Sequence, residues 1–454
     1  MKYFLLSAII IFLIINSSIS EKNSEKEEEQ LLFVYEHCRH GARAPNDKKN
    51  GLYNDKTKTD SYNIYWDKPG ILTEYGKLQH FFLGLRNKYR YKNFIDFSKY
   101  NQKEMLLRTT GVKRCTESLY YQILGMYYTE NLNINNSIEF NEEIYKYGMP
   151  PNIKNWKTDP IFVDINNKIN EFLKNKKIEG INLTSFNSES KKLFNIKAIK
   201  NNFLFITQKC KNHEKYIKKQ RFKYKEIIKN NFIDNYANKL KNIISFTDES
   251  YFYKRGIAKS LADHFISDYL NGRKELIELS EKTGINLNEF FKECESVYYF
   301  FMYNIYCFSK SCVLSASRLI NEIINYFENA INPKNNKSKN IKMIIDLGHD
   351  VTVNDIQILM NKAFNINYTY CTFACNLYFG LFRIKRDNKY IIKYFENDLL
   401  LLKIEYSKFK KQLIKLLWTD TEIEKFCNGK KENIFKIHEE QDSNDNIKDI
   451  NSDL

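Results

Sequence analysis

The stretch Leu31-Leu32-Phe33-Val34-Tyr35-Glu36-His37-Cys38-Arg39-His40-Gly41-Ala42-Arg43-Ala44-Pro45 decides how the rest of the chain is read. Its first five residues form a continuous apolar run, the mark of a buried strand. Gly41 and Pro45 then demand a loop, which sets Arg39, His40 and Arg43 at a strand's carboxyl end. Two later runs have the same form. Met105-Leu106-Leu107 reads as a strand ending at Arg108, and Met343-Ile344-Ile345-Asp346-Leu347 as one ending at Gly348-His349-Asp350.

Helical spacing joins these strands. Leu78, Phe81, Phe82, Leu85 and Tyr89 recur on one face of 72–91, with Thr73 as N-cap. Val112, Cys115, Leu119, Ile123 and Leu124 follow the Thr109-Thr110-Gly111 turn in the same way. Segments 257–270, 313–330, 355–363 and 407–418 also read as helices. Segments 375–384 and 390–396 read as a β-hairpin turning at Arg386-Asp387-Asn388. Strands alternating with helices predict an α/β fold with a mainly parallel central sheet flanked by helices. Ligands of such sheets sit beyond the carboxyl ends of the strands. Helix N-termini there add unpaired N–H groups that favour an anion.

The chain has 454 residues, 43% hydrophobic and 15% aromatic, enough apolar material for a core, which excludes a disordered or fibrous protein. Lys plus Arg number 71 against 55 Asp plus Glu, a net +16. This charge is spread through Lys-Asn-Ile stretches, most densely over 209–242, without zinc-finger spacing, RNA-binding aromatics or heptads. It reads as a solvated surface and not as a nucleic-acid footprint. Lys2, the apolar run 3–15 and Asn16-Ser17-Ser18-Ile19-Ser20 read as a signal peptide over 1–20, too short to span a bilayer comfortably. The alternative is a retained signal anchor. Nine cysteines and four sequons, at Asn135, Asn182, Asn336 and Asn367, agree with an oxidising secretory route. An odd cysteine count leaves at least one thiol unpaired within the chain.

The chemistry at the strand ends is that of an anion. Guanidinium groups at Arg39, Arg43 and Arg108 match the forked geometry of a tetrahedral oxyanion and stay charged at any relevant pH. Positive neighbours push the pKa of His40 down, so its imidazole stays neutral and nucleophilic in acid solution. His349 adds a hydrogen-bond donor, and Asp350 is placed to protonate a leaving oxygen. Three arginines neutralise the substrate themselves, so neither a metal nor a cofactor is expected.

Arg39-His40-Gly41-Ala42-Arg43-Ala44-Pro45 resembles the RHGxRxP signature of the histidine acid phosphatases, in branch 2 of the histidine phosphatase superfamily. The resemblance continues through 72–86, through Arg108-Thr109-Thr110 with Arg114-Cys115-Thr116-Glu117-Ser118, through Cys294-Glu295-Ser296-Val297 and Asn321-Glu322-Ile323-Ile324, and ends on Gly348-His349-Asp350-Val351-Thr352. Three features depart from it: Thr109 stands for the usual Ser, Gly111 follows the second Thr, and Glu36-His37-Cys38 is less apolar than the family.

The resemblance implies an α/β lobe over 21–130 and 331–437, a smaller, mostly helical cap lobe over 131–330, and the active site between them. The tail 438–454 is acidic and expected to be disordered. His40 is then the nucleophile of a phosphohistidine intermediate, with Arg39, Arg43, Arg108 and His349 holding phosphate and Asp350 as general acid. The resemblance also implies a Cys294–Cys371 disulfide and offers Cys210–Cys427 as a second. The expected activity is hydrolysis of phosphate monoesters by a secreted or lysosomal acid phosphatase. A phytase-like inositol phosphate hydrolase of the same chemistry is the alternative; a non-catalytic secreted anion-binding protein is the alternative from another class. Animal members of the family often dimerise, which leaves a homodimer open.

Overall fold

The structure is a computed structural model. It describes residues 29–46, 68–98, 100–127, 257–271, 284–300, 310–333, 341–367 and 371–428, with isolated positions between 177 and 302. The leader 1–20, the acidic tail, the basic stretch 209–242 apart from three isolated positions, and the sequons at Asn135 and Asn336 lie outside them.

Strand β1 (Glu29–Arg39) is the centre of a seven-stranded sheet. The others are β2 (Met105–Thr109), β5 (Lys197–Ala198), β6 (Met343–Gly348), β7 (Asn376–Ile384), β8 (Lys389–Glu396) and β9 (Leu399–Glu405). The order is β5-β2-β6-β1-β7-β8-β9; β3 (Lys177–Ile178) and β4 (Ile181–Asn182) form a separate hairpin. β5, β2, β6 and β1 are mutually parallel, whereas β1–β7, β7–β8 and β8–β9 are antiparallel. The expected mainly parallel sheet is therefore corrected to a mixed one. Tight turns, not helices, join β7 to β8 and β8 to β9, which makes those pairs antiparallel; β7, reached through the helix after β6, also lies antiparallel to β1. Asn388 and the Asn397-Asp398 pair sit at positive φ, where short polar side chains are tolerated.

Helices cover both faces. Helices α1 (Glu74–Tyr91) and α2 (Lys113–Tyr127) pack on the face that carries Val34, Cys38, Leu107, Ile345 and Leu347. Helices α3 (Ile257–Leu270) and α4 (Leu287–Phe300) join the same core through Phe265, Phe290 and Cys294. On the opposite face α5 (Lys310–Ile331), α6 (Asp350–Phe364) and α7 (Tyr406–Ile414) cover Phe33, Tyr35, Ile344 and Phe379. Helix α8 (Asp420–Asn428) packs Ile423 against Leu314. Within 131–330, β5 pairs with the main sheet and α5 packs on β1 and α6, so part of that interval belongs to the α/β layers.

Among the described residues no helix is long and apolar enough to cross a membrane. Cys210 is disulfide-bonded to Cys427, their Cα atoms 4.6 Å apart. The expected Cys294–Cys371 bond is corrected: Cys371 bonds Cys375 at a Cα separation of 5.5 Å, and Cys294 is a free thiol buried among the aromatics of α3 and α4. Cys312 is also disulfide-bonded, and Cys38 and Cys115 are buried thiols. Asn182 lies in β4, and Asn367 is exposed after α6.

Candidate active site

The carboxyl ends of β1, β2 and β6 lie side by side, with Arg39 opposite Gly348 and Thr109 opposite Leu347. The backbone of His40 is fixed by its N–H donating to Gly348 O (3.1 Å) and its carbonyl accepting from Ala374 N–H (3.0 Å). The chain then turns onto the first turn of α1. A Cβ on Gly41 would lie 2.3 Å from the Gly76 carbonyl oxygen, and one on Gly76 2.2 Å from that of Ala42. Only glycine allows this approach. Thr73 Oγ1 caps α1 at Gly76 N–H and donates to Ala42 O at 2.9 Å, which ties the loop to the helix.

This scaffold aims the imidazole. His40 Nδ1 lies 2.9 Å from Gly41 O. A carbonyl oxygen only accepts, so the proton sits on Nδ1 and Nε2 presents a bare lone pair. His40 is 2% exposed. Its pKa lies well below the ordinary value, first because of burial, then because Arg114, His349, Arg39 and Arg43 oppose a second positive charge. His349 packs edge-on against it, ring centroids 5.3 Å apart. Burial and the same arginines, Arg114 foremost, push His349 down to about 3.

Arg39 donates from Nη1 to Cys371 O (2.6 Å) and from Nη2 to Asp350 Oδ2 (2.9 Å). Its guanidinium lies 4.3 Å from the Phe373 ring centroid; that of Arg43 lies at 5.4 Å. Phe373 is thus an aromatic plate shared by two cations and, at 5.8 Å, by the His40 ring. The Cys371–Cys375 disulfide closes the loop carrying this plate. Asp350 opens α6 and accepts from Tyr298 Oη (2.6 Å) and from Val351 N–H (2.9 Å). Arg43 is gripped by Asp263 of α3 through Nη1 (3.1 Å) and Nη2 (2.7 Å). Burial works against the charge on Arg43, and Asp263 outweighs it, so its pKa is raised.

Arg108 does not join this cluster. It pairs across the β2–β6 register with Asp346 and binds it through Nε and Nη2, both at 2.6 Å; Nη1 takes Glu322 of α5 at 2.7 Å. Side chains alternate along a strand, so Arg108 shares the face of Leu106, towards α5, with Tyr35 and His37. Arg114, in the first turn of α2, occupies the site instead. Its Nη2 lies 3.4 Å from His349 Nδ1, and it is the strongest charge acting on both histidines. The buried Nε groups of Arg43 and Arg114 have no hydrogen-bond partner among the described residues. Such donors suit an anion that satisfies them.

His40, Arg39, Arg43, His349 and Asp350 are therefore brought together, Arg108 stands apart, and Arg114, Thr110, Asp263, Tyr298 and Phe373 complete the surroundings. Thr110 Oγ1 lies 3.2 Å from His349 Nε2. Of these, Arg114 was legible as the helix-start arginine of the second motif, and Tyr298 lies one residue past the Cys294–Val297 element; Asp263 carried no signal. His80, on α1, holds the Arg39 carbonyl at 3.2 Å and positions the strand end from behind. No group of three His, Cys, Asp or Glu among the described residues is arranged to hold a metal ion.

A mixed sheet whose parallel strand ends gather a neutral imidazole, a second histidine and three guanidinium groups can hold a phosphate-like oxyanion against a ring nitrogen with a bare lone pair. Comparison with known proteins agrees. The family model described as histidine phosphatase superfamily (branch 2) matches residues 30–397, and the chain belongs to that family of phosphatases. Over 110 residues it is 32% identical to lysosomal acid phosphatase of Xenopus laevis; the match spans about a quarter of that relative's length, 24% of either chain. Among solved structures, Citrobacter braakii phytase aligns at a TM-score of 0.52 and 10% identity, covering 86% of this chain and 98% of that one. Hafnia alvei phytase in complex with myo-inositol hexakis sulphate aligns at 0.50 and 11% identity, with the same coverage. At such identities these two establish the fold alone.

Proposed function

We propose that the protein is an acid phosphatase that hydrolyses phosphate monoesters through a phosphohistidine. The observation that carries this is the His40 imidazole, held neutral by burial and aimed by the Gly41 carbonyl, inside a ring of Arg39, Arg43 and Arg114. Nε2 attacks phosphorus, the P–O bond to the leaving group breaks, and Asp350 gives its proton to the departing oxygen. Water, deprotonated by Asp350, then attacks the phosphohistidine; the P–N bond breaks and its electron pair returns to Nε2. Arg39, Arg43, Arg114 and His349 hold the non-bridging oxygens throughout, and the N-terminal end of α6 adds its partial positive charge. The third guanidinium role passes from Arg108 to Arg114, because Arg108 is committed to Asp346 and Glu322. A carboxyl acting as proton donor must start each turnover protonated, which favours acid solution.

The disulfides, the apolar leader and the similarity to a lysosomal acid phosphatase support a secretory, secreted or lysosomal, setting. An inositol polyphosphate would be cleaved by the same steps, so the choice between the two substrate classes lies in the charges surrounding the bound phosphate.

Hydrolysis of p-nitrophenyl phosphate in mildly acidic buffer tests the reading. His40→Ala is expected to abolish turnover, and acid-labile, base-stable phosphate should be trapped on the wild-type protein during turnover and not on the variant. Asp350→Ala is expected to lose more activity towards an alkyl phosphate than towards the activated phenol. Full activity of His40→Ala, or equal losses for both substrates, would overturn the corresponding assignment.

A further inference from the structure

We propose that Asp263 is a positioning and specificity residue, which fixes the Arg43 fork and sets a negative charge beside the bound phosphate, so that the site favours isolated phosphate groups over clustered ones. The inference rests on the phosphate-binding role of Arg43 proposed above. A guanidinium fork matches a phosphate as well as it matches a carboxylate. Here both Nη atoms of Arg43 are engaged by Asp263, Nη1 also donates to Ala44 O at 3.0 Å, and Nε is the donor left. Arg43 and Asp263 are 2% and 8% exposed, so this pair is screened little by solvent. It is a contact between the end of β1 and a helix more than 200 positions away, with a sequence separation of 220.

The other α4 side chains at the site, Tyr298 and Glu295, add no positive charge to it. Tyr298 donates to Asp350, and Glu295 lies within the field of Arg39. Burial holds Glu295 up to about 7, while the Asp263 carboxylate is ion-paired with Arg43 at 2.7 Å. A substrate carrying several phosphates needs positive charge beyond its reacting group. This side offers a carboxylate instead, and like charges juxtaposed in a binding site are a common means of rejecting the wrong ligand.

The test separates charge from positioning. Binding of inorganic phosphate and of myo-inositol hexakis sulphate to the full chain is measured by calorimetry for wild type, Asp263→Asn and Asp263→Glu. Loss of the Arg43 clamp affects both ligands and cancels in the ratio of their affinities, whereas loss of a charge acts more strongly on the ligand carrying more charges. For one charge removed at short range, Asp263→Asn should raise the hexasulfate-to-phosphate affinity ratio by about tenfold, and Asp263→Glu should keep the wild-type ratio. Should Asp263→Asn not fold, Asp263→Ser, which leaves room for water to solvate Arg43, takes its place and is expected to move the ratio likewise. A ratio unchanged within about twofold, or shifted equally by the Glu variant, overturns the specificity role. Absence of p-nitrophenyl phosphate hydrolysis by the wild type would overturn the phosphatase reading separately, since the binding ratio does not require turnover.

Discussion

At the scale of single residues, the two candidate arginines after β2 part company by what each would leave behind. Arg108 satisfies Asp346, a carboxylate 0% exposed, so Arg108→Ala strands a buried charge. That costs about 3–5 kcal/mol. Arg108→Ala is thus expected to lower the thermal midpoint, with much of the KM of the folded fraction retained. Arg114 makes no such bond: it contacts His349 and the Gly70 carbonyl weakly, and burial and Arg43 work against its charge. Arg114→Ala is expected to leave the midpoint within a degree or two or raise it, and to cut kcat/KM by at least about a hundredfold, of the order seen when one preorganised donor is removed. Calorimetry and steady-state kinetics on the pair decide it; a stable, inactive Arg108→Ala beside an active Arg114→Ala would reverse the assignment. The sequence carried part of the information to choose: alternation sets Arg108 on the face opposite Leu107, though the all-apolar run 105–107 does not say which layer each face meets. Leu107 faces the α1–α2 core and Leu106 the other layer, so period-two alternation puts Arg108 under α5. What it did not carry was Asp346 as the partner, since that depends on the register of β2 against β6.

At the scale of elements, α1 and α2 show how closely two helices must approach to bring Thr73 and Arg114 to one site. A Cβ on Gly84 would lie 1.9 Å from Gln122 O, and one on Gly125 2.0 Å from Phe81 O. Gly84→Ala should therefore force the helices apart, at more than the 1–3 kcal/mol of ordinary overpacking, because backbone and not a movable side chain is struck. Reduced activity should accompany the loss of stability, since α1 also carries His80 and the cap under His40; a Gly84→Ala protein of unchanged midpoint would contradict this account. Most elements were legible from periodicity, α1 with its Thr73 cap almost to the residue. Strand β1 extends to Arg39, beyond the apolar run, because Glu36 is buried yet satisfied by Asn87, Gln122 and Asn376. Such satisfaction needs three distant partners and leaves no local pattern. Strand β9 leaves no alternating signal: it is an edge strand whose Leu399 and Leu400 are exposed while Leu401, Leu402 and Ile404 pack only part-buried on the core.

At the scale of the whole molecule, the device that keeps His40 neutral has a cost in acid. His37 and His80 are pushed down to about 4 and His349 to about 3, with burial the main cause each time, and His40 is lowered too. In the unfolded chain each imidazole titrates near 6.5. Below that pH the unfolded state binds more protons, so stability falls as pH falls, starting near 6.5 and continuing to the folded pKa. By pH 5 His37, His80 and His349 have each removed about 2 kcal/mol, about 6 together, and His40 acts in the same direction; this is a large share of the 5–15 kcal/mol that holds a typical protein folded. The Cys210–Cys427 bond, closing a separation of 217 residues, offsets much of this; the chain-entropy model puts it at about 5 kcal/mol. The midpoint is therefore expected to drop by roughly 10 °C between pH 7 and pH 5. Saturating inorganic phosphate, which binds the folded site, should recover part of the drop. His37→Gln removes one buried imidazole on the face away from the site and should shrink the drop by about a quarter. A drop of undiminished size in that variant would overturn this account, because carboxylate pairs such as Asp398 with Arg86 and Arg90, whose stabilising effect is lost only as pH falls through the ordinary carboxylate range, act below this window.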